Sequence, residues 1–290
     1  MQTQNGMKKK LLFSVMLLCL INLSCIAQDV KIFQSDKLVK KWETTAELMV
    51  PESVCFDPAG NVLYVANING KPTVKDGNGF ISMLSTDGNI LKLEWITGLN
   101  APKGMGICKG KLFVTDINRV AEIDIKSMKI LRFYDFPEAG FLNDIAVDQN
   151  GAVYISDMMG TSIYRIYDDK AEKWLDDKSI ISPNGLFIDE NQLMIGCNKI
   201  IRAEIADKKI TTWLLKTGSI DGLEGTGDGR YLFSDWSGNV YLVDTDKKIE
   251  KILDTSLAGI NAADIEFIPS MKLLFVPTFN DNRVMAYELK

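Results

Sequence analysis

The sequence predicts an all-β protein, a six-bladed β-propeller whose ring is closed by an N-terminal strand. Three observations predict it: one local pattern recurs six times at about 40 residues, the apolar runs are short and rich in β-branched and aromatic residues, and Asn, Asp and Gly punctuate them.

Each repeat opens on a polar residue or pair ahead of a short apolar strand. The openings are Pro51-Glu52-Ser53-Val54, Pro102-Lys103-Gly104-Met105, Leu142-Asn143-Asp144-Ile145, Pro183-Asn184-Gly185-Leu186, Ile220-Asp221-Gly222-Leu223 and Ala262-Ala263-Asp264-Ile265. The first step is the longest, because an insertion rich in Gly, Asn and Lys falls over residues 68–79, where it would overhang one mouth of the ring.

A second apolar run follows each opening, as in Val62-Leu63-Tyr64-Val65, Leu112-Phe113-Val114 and Leu273-Leu274-Phe275-Val276. These runs are too short for helices and read as strands buried on both faces. Third strands such as Val120-Ala121-Glu122-Ile123-Asp124-Ile125 alternate more openly and read as half-buried. Fourth strands carry Trp95, Trp174 and Trp213, large side chains suited to the wide outer gap between blades. The sixth repeat has only three strands, and a matching strand around Trp42 precedes the first. Pairing it with the last blade closes the circle and leaves no long unpaired edge. Asp116, Asp157 and Asp235, each ending a second strand, read as hydrogen-bond anchors between blades.

The organisation is one propeller over residues 38–290, an N-terminal extension over 28–37 and a leader over 1–27. Lys8-Lys9-Lys10 ahead of a short apolar run has the charge and length of a secretory signal, so the mature chain is expected to be exported, periplasmic or secreted, with no transmembrane span. Leu23-Ser24-Cys25 resembles a lipoprotein cleavage site, and a lipid anchor at Cys25 on the cell envelope is the alternative. Removing the leader takes the net charge from −5 to about −8, and no basic cluster remains to bind nucleic acid. Past the leader, Cys55, Cys108 and Cys197 form no disulfide framework and read as small buried side chains.

There is no histidine. Histidine-based triads, histidine-ligated zinc and a histidine general base are therefore excluded, while metal held by oxygen ligands is not. In a propeller, the residue that opens each innermost strand points into the central channel. Here those positions hold Glu52, Lys103, Asn143, Asn184, Asp221 and Ala263. Two carboxylates and two carboxamides in one ring suit a hard cation, which would relieve the repulsion between Glu52 and Asp221. Lys103 either neutralises one carboxylate or stands off to bind substrate.

At these residues the chain resembles the gluconolactonase, regucalcin and senescence-marker group of six-bladed propellers. The resemblance rests on Pro51-Glu52-Ser53-Val54 running into Asp57-Pro58-Ala59-Gly60, on Asn143-Asp144 followed by Asp148-Gln149-Asn150-Gly151, on Asn184-Gly185-Leu186 and on Asp221-Gly222-Leu223. It implies that Glu52, Asn184 and Asp221 bind a divalent cation, Ca²⁺ before Zn²⁺ or Mn²⁺, and that Asn143 touches cation or substrate. It also implies hydrolysis of a lactone, sugar-derived or otherwise, or of a related ester. Asp221 is then ligand and base, Glu224 is the second candidate base, and Lys103 joins Asn143 in binding substrate. Ser53, in place of the glycine usual after the glutamate, is closer to strictosidine synthase-like and NHL-type propellers. The competing expectation is accordingly a non-catalytic NHL-like propeller that binds a glycan, peptide or protein at its rim.

Overall fold

The structure is a computed structural model and describes residues 32–290. The leader over residues 1–27 and the cysteine at position 25 lie outside the described residues. Among the described residues no helix is long and apolar enough to cross a membrane.

Six antiparallel sheets follow one another around the ring. Their innermost strands are Pro51–Asp57, Pro102–Cys108, Leu142–Val147, Leu186–Asp189, Leu223–Gly225 and Glu266–Ile268. Each pairs outward with a second strand: Val62–Asn67, Lys111–Asp116, Val153–Asp157, Gln192–Gly196, Tyr231–Asp235 and Leu273–Pro277. The last sheet takes its outermost strand from the other end of the chain: Leu38–Glu43 pairs with Val284–Leu289, and Lys290 N donates to Lys37 O at 2.9 Å. The closing strand, expected over residues 41–49, instead runs from Leu38 to Glu43, with Trp42 near its end. One further strand was not foreseen, since Phe33–Gln34 pairs with the edge of the fifth sheet.

The core lies between the blades. Trp95 stacks on Tyr64 at 4.4 Å and shares a cluster with Leu112 and Val114 of the next blade. Trp174 meets Tyr154 edge-on and packs against Leu193 and Ile195 of its neighbour. Trp213 packs on Tyr231 of the fifth blade, and Trp42 on Phe275 beside the first. The tryptophans do fill the outer gaps.

Third strands are more buried than their alternation suggests. Glu122 is buried between Ala121 and Ile123 because Lys111, Arg132 and Tyr134 all bond its carboxylate. Burial pushes that carboxyl up, but those hydrogen bonds hold it down at about 2. Among the described residues Cys55, Cys108 and Cys197 are free thiols, and Cys108 is only partly buried, unlike the other two.

The strand-ending aspartates divide into two kinds. Asp116 accepts from the backbone N–H of Asn100 and Ala101 at 2.9 and 2.8 Å, and Asp157 from Gly140 and Phe141 at 3.1 and 2.8 Å. Both pin the crossover that enters their blade. Asp235 instead bonds Ser237, Asn239 and Tyr241 inside its own sheet. Asp116→Ala leaves two backbone donors without their acceptor beside a fully buried position, and is expected to cost about 3 kcal/mol in urea unfolding.

Adjacent innermost strands approach so closely that glycine is required between them. A Cβ on Gly104 would lie 2.4 Å from Asp144 Cα and 2.5 Å from Asn143 O, and one on Gly185 would lie 2.4 Å from Asp221 O. Gly104→Ala is expected to lower stability by about 1–3 kcal/mol, read as a shift of the denaturant midpoint, because backbone rather than a flexible side-chain tip must move.

Candidate functional site

The residues at the mouth of the channel sit where sheet pairing is interrupted. In the first three blades the inner ladder skips register between Pro51 and Ser53, Pro102 and Met105, and Leu142 and Ile145. Such bulges re-aim a side chain, and the skipped positions include Glu52, Lys103 and Asn143. In the next two blades the strands proper start at Leu186 and Leu223, and Asn184 and Asp221 just ahead of them are held by their backbone N–H groups, which donate to Gly196 O and Ser234 O at 2.8 Å each. Hydroxyls on second strands hold this loosened backbone: Thr115 Oγ1 donates to Asn143 O at 2.6 Å, and Ser234 Oγ to Ala263 O at 2.7 Å.

Glu52, Lys103, Asn143, Asn184 and Asp221 line one cavity of about 370 Å³. These five are brought together as the sequence predicts. Ala263 does not line the cavity and contributes only backbone. Asn184 Nδ2 donates to Asp221 Oδ1 at 2.8 Å, while Asn143 Nδ2 and Asn184 Nδ2 lie 3.3 and 3.7 Å from Met158 Sδ. With their N–H groups so directed, both carboxamide oxygens face elsewhere. Asn143 Oδ1, Asn184 Oδ1 and Glu52 Oε2 are buried acceptors with no hydrogen-bond partner in the protein.

Lys103 does not fill the space between the carboxylates. Its buried ammonium donates to Ala101 O at 2.8 Å and lies 4.3 Å from the Phe141 ring centre, and it forms no salt bridge among the described residues. Burial lowers its pKa to about 8, against the opposing pull of Glu52 and Asp116. Burial also raises Asp221 to about 7, in spite of the Asn184 hydrogen bond and with help from Asp144 and Asp235. Glu52 is pushed well above the usual carboxylate range, by burial first and then by Asp221.

Beneath this ring lies a second layer of acids that sequence reasoning did not assemble. Asp144 accepts from Leu186 N and Ile145 N, each at 2.6 Å, Asp264 from Ser53 Oγ at 2.7 Å, and Glu266 from Phe56 N at 3.1 Å. Glu224 belongs here, where burial and then Glu266 raise its pKa, and it does not line the cavity. That removes the geometric basis for Glu224 as the second candidate base.

Other cavity residues also went unread. Phe141, Met158, Trp236 and Phe279 line it, together with Ser219 and Ile220. A signal existed, because Met158 and Trp236 each follow the aspartate that ends a second strand. The insertion over residues 68–79 does overhang this mouth, through Ile68 and Pro72.

Fold and site together define a six-bladed propeller with an acid and amide cluster at one end of its axis. No protein-family model matches the chain, and no curated protein does. Solved structures match in fold. A catalytically inactive histidine-to-alanine variant of virginiamycin B lyase from Staphylococcus aureus, with quinupristin, is 15% identical, covers 90% of this chain and 100% of its own, and has a TM-score of 0.61. A streptogramin B lyase structure is 15% identical over 87% of this chain and 97% of its own, with a TM-score of 0.64. Selenomethionine-substituted virginiamycin B lyase from the same organism is 16% identical over 90% and 100%, also at 0.64.

Proposed function

We propose that this chain is an exported, periplasmic or secreted, hydrolase of lactones or related esters, akin to the gluconolactonase and senescence-marker propellers, and that it works with a divalent cation held by Glu52, Asn184 and Asp221. One observation carries the reading: buried oxygens of Glu52, Asn143 and Asn184 without protein partners line the same cavity as the Asp221 carboxylate. Buried acceptors are normally satisfied, and a hard cation is the partner that oxygens of this kind suit. Carboxylate and carboxamide oxygens favour Ca²⁺, with Mn²⁺ or Zn²⁺ as the alternatives.

When bound, such a cation supplies positive charge that polarises a carbonyl and acidifies water. Burial raises the cation-free Asp221 to about 7; a bound cation would lower it again but would also acidify the water, so the proton that Asp221 takes crosses only a small gap. The Asn184 amide fixes the rotation of that carboxylate. The water oxygen bonds to the carbonyl carbon, the C–O bond to the leaving alcohol breaks, and Asp221 returns the proton to the departing oxygen. Asn143 and Lys103 bind the substrate, with the Lys103 ammonium facing developing negative charge. The neighbouring lyase form named for its lost histidine has no counterpart here, since this chain contains none.

The test is elemental analysis and calorimetric titration with Ca²⁺, Mn²⁺ and Zn²⁺, paired with ester and lactone hydrolysis before and after chelation. Tight binding that is lost in Glu52→Gln, with chelator-sensitive turnover, supports the reading. Failure to bind metal or to turn over any substrate replaces it with a rim-binding propeller.

A further inference from the structure

We propose that the molecule received by this cavity is amphipathic: a flat aromatic or bulky apolar body lying against Trp236 and Phe279, with its carbonyl at the acid and amide floor. A polyhydroxylated sugar lactone does not fit this site. The inference deepens the hydrolase reading and depends on it only for where the carbonyl sits.

Beside the acid and amide cluster, the cavity is walled by Ile68, Pro72, Ile220, Trp236 and Phe279, with Phe141 under the Lys103 ammonium, and Ser219 is the other residue with a polar side chain. A sugar lactone carries hydroxyls around its whole ring, and each one pressed against this wall would lose water without gaining a partner. An aromatic or acyl body loses nothing there and buries apolar surface. The volume of about 370 Å³ suits a small molecule of that kind.

The aromatic pair is held in place. Trp236 is 50% exposed, unusual for so large an apolar side chain, and its ring meets Phe279 edge-on at 5.6 Å. Asn261 Nδ2 fixes the Trp236 carbonyl at 2.9 Å. Phe279 has a φ of 49°, a left-handed conformation that costs free energy in a residue with a side chain. The turn Phe279–Asp281 is closed by Asp281 N donating to Thr278 O at 3.1 Å, and Arg283 bonds the Asp281 carboxylate at 2.7 Å. Phe279 also packs against the buried cluster of Ile68, Ala101 and Ile117, which ties it to the start of the insertion.

The experiment measures binding separately from turnover. Coumarin, a stable aromatic lactone, and methyl glucoside are titrated by ligand-observed NMR into the wild-type chain and into Trp236→Ala, Trp236→Phe and Phe279→Leu. In parallel, dihydrocoumarin and glucono-δ-lactone are assayed as substrates. Coumarin is expected to bind wild type more tightly than the glucoside, at least about tenfold more weakly to Trp236→Ala, and nearly normally to Trp236→Phe. For dihydrocoumarin, Trp236→Ala should raise KM by a similar factor with kcat little changed. Tighter binding of the glucoside, or coumarin affinity untouched in both Trp236→Ala and Phe279→Leu, overturns the inference. Coumarin binding without turnover of any ester keeps it and removes the hydrolase, whereas glucono-δ-lactone turnover without coumarin binding does the reverse.

Discussion

Asp221→Asn is expected to lower kcat for ester or lactone hydrolysis by about 10²- to 10³-fold with KM nearly unchanged. The substitution keeps the shape and leaves an oxygen for Asn184 Nδ2 to bond, so the fold should survive. What disappears is the basic oxygen that takes the proton. Asp221 is also a proposed ligand, and steady-state rates measured across a cation titration separate the two roles. A deficit that persists at saturating cation identifies the base. Recovery of the full rate there would reduce Asp221 to a ligand, and a folded variant within threefold of wild type at every concentration would end its role in the reaction.

The cation-free protein is expected to melt on the order of 10 °C lower at pH 8 than at pH 5. Burial raises Asp144 and Asp221 to about 7 from an ordinary 3.8, and Glu266 to about 8 from 4.5, while Glu52, Glu224 and Asp264 are also pushed well up. Between those limits the folded chain holds protons that the unfolded chain has released. Stability is therefore full below about pH 4, falls as pH rises, and levels off once the folded groups have ionised. Divalent cation added at pH 8 should restore much of the loss and should do little at pH 5, where protons already neutralise the acids. Differential scanning calorimetry at both pH values checks this. A flat profile would mean that the axial acids reach water.

The blades were legible because a propeller repeats its pattern of short apolar runs and turn residues, so each copy supports the reading of the others. Ring positions followed from the same equivalence, which is why Glu52, Lys103, Asn143, Asn184 and Asp221 could be placed in one cavity. Other contacts obey no such equivalence. Asp116 and Asp235 share a strand position, yet one pins a crossover and the other turns to Asn239 and Tyr241, because an aspartate bonds whichever donors its own loop presents. Phe33–Gln34 is too short to leave a periodic signal. The second tier of acids was written in the inner strands as Asp144, Glu224, Asp264 and Glu266, but which acids reach the mouth depends on where each inner strand starts to pair, as at the bulge that holds both Asn143 and Asp144. Trp236 and Phe279 lie on loops whose paths depend on tertiary packing rather than on local pattern.

Closing the ring with the strand Leu38–Glu43 has a consequence for how the chain folds. Its partner is Val284–Leu289, and the contact between Val284 N and Thr44 Oγ1 spans 240 residues. Few contacts in a chain of this size lie farther apart in sequence, and pairings of that kind form late and slowly. While the chain is being synthesised, the strand Leu38–Glu43 emerges early and must wait unpaired for the sixth sheet, which is made long after it. Joining Lys290 to Lys37, whose backbones already meet, through a short linker and cutting at a distant surface turn would make those two strands consecutive, and such a permuted chain should reach the same circle faster.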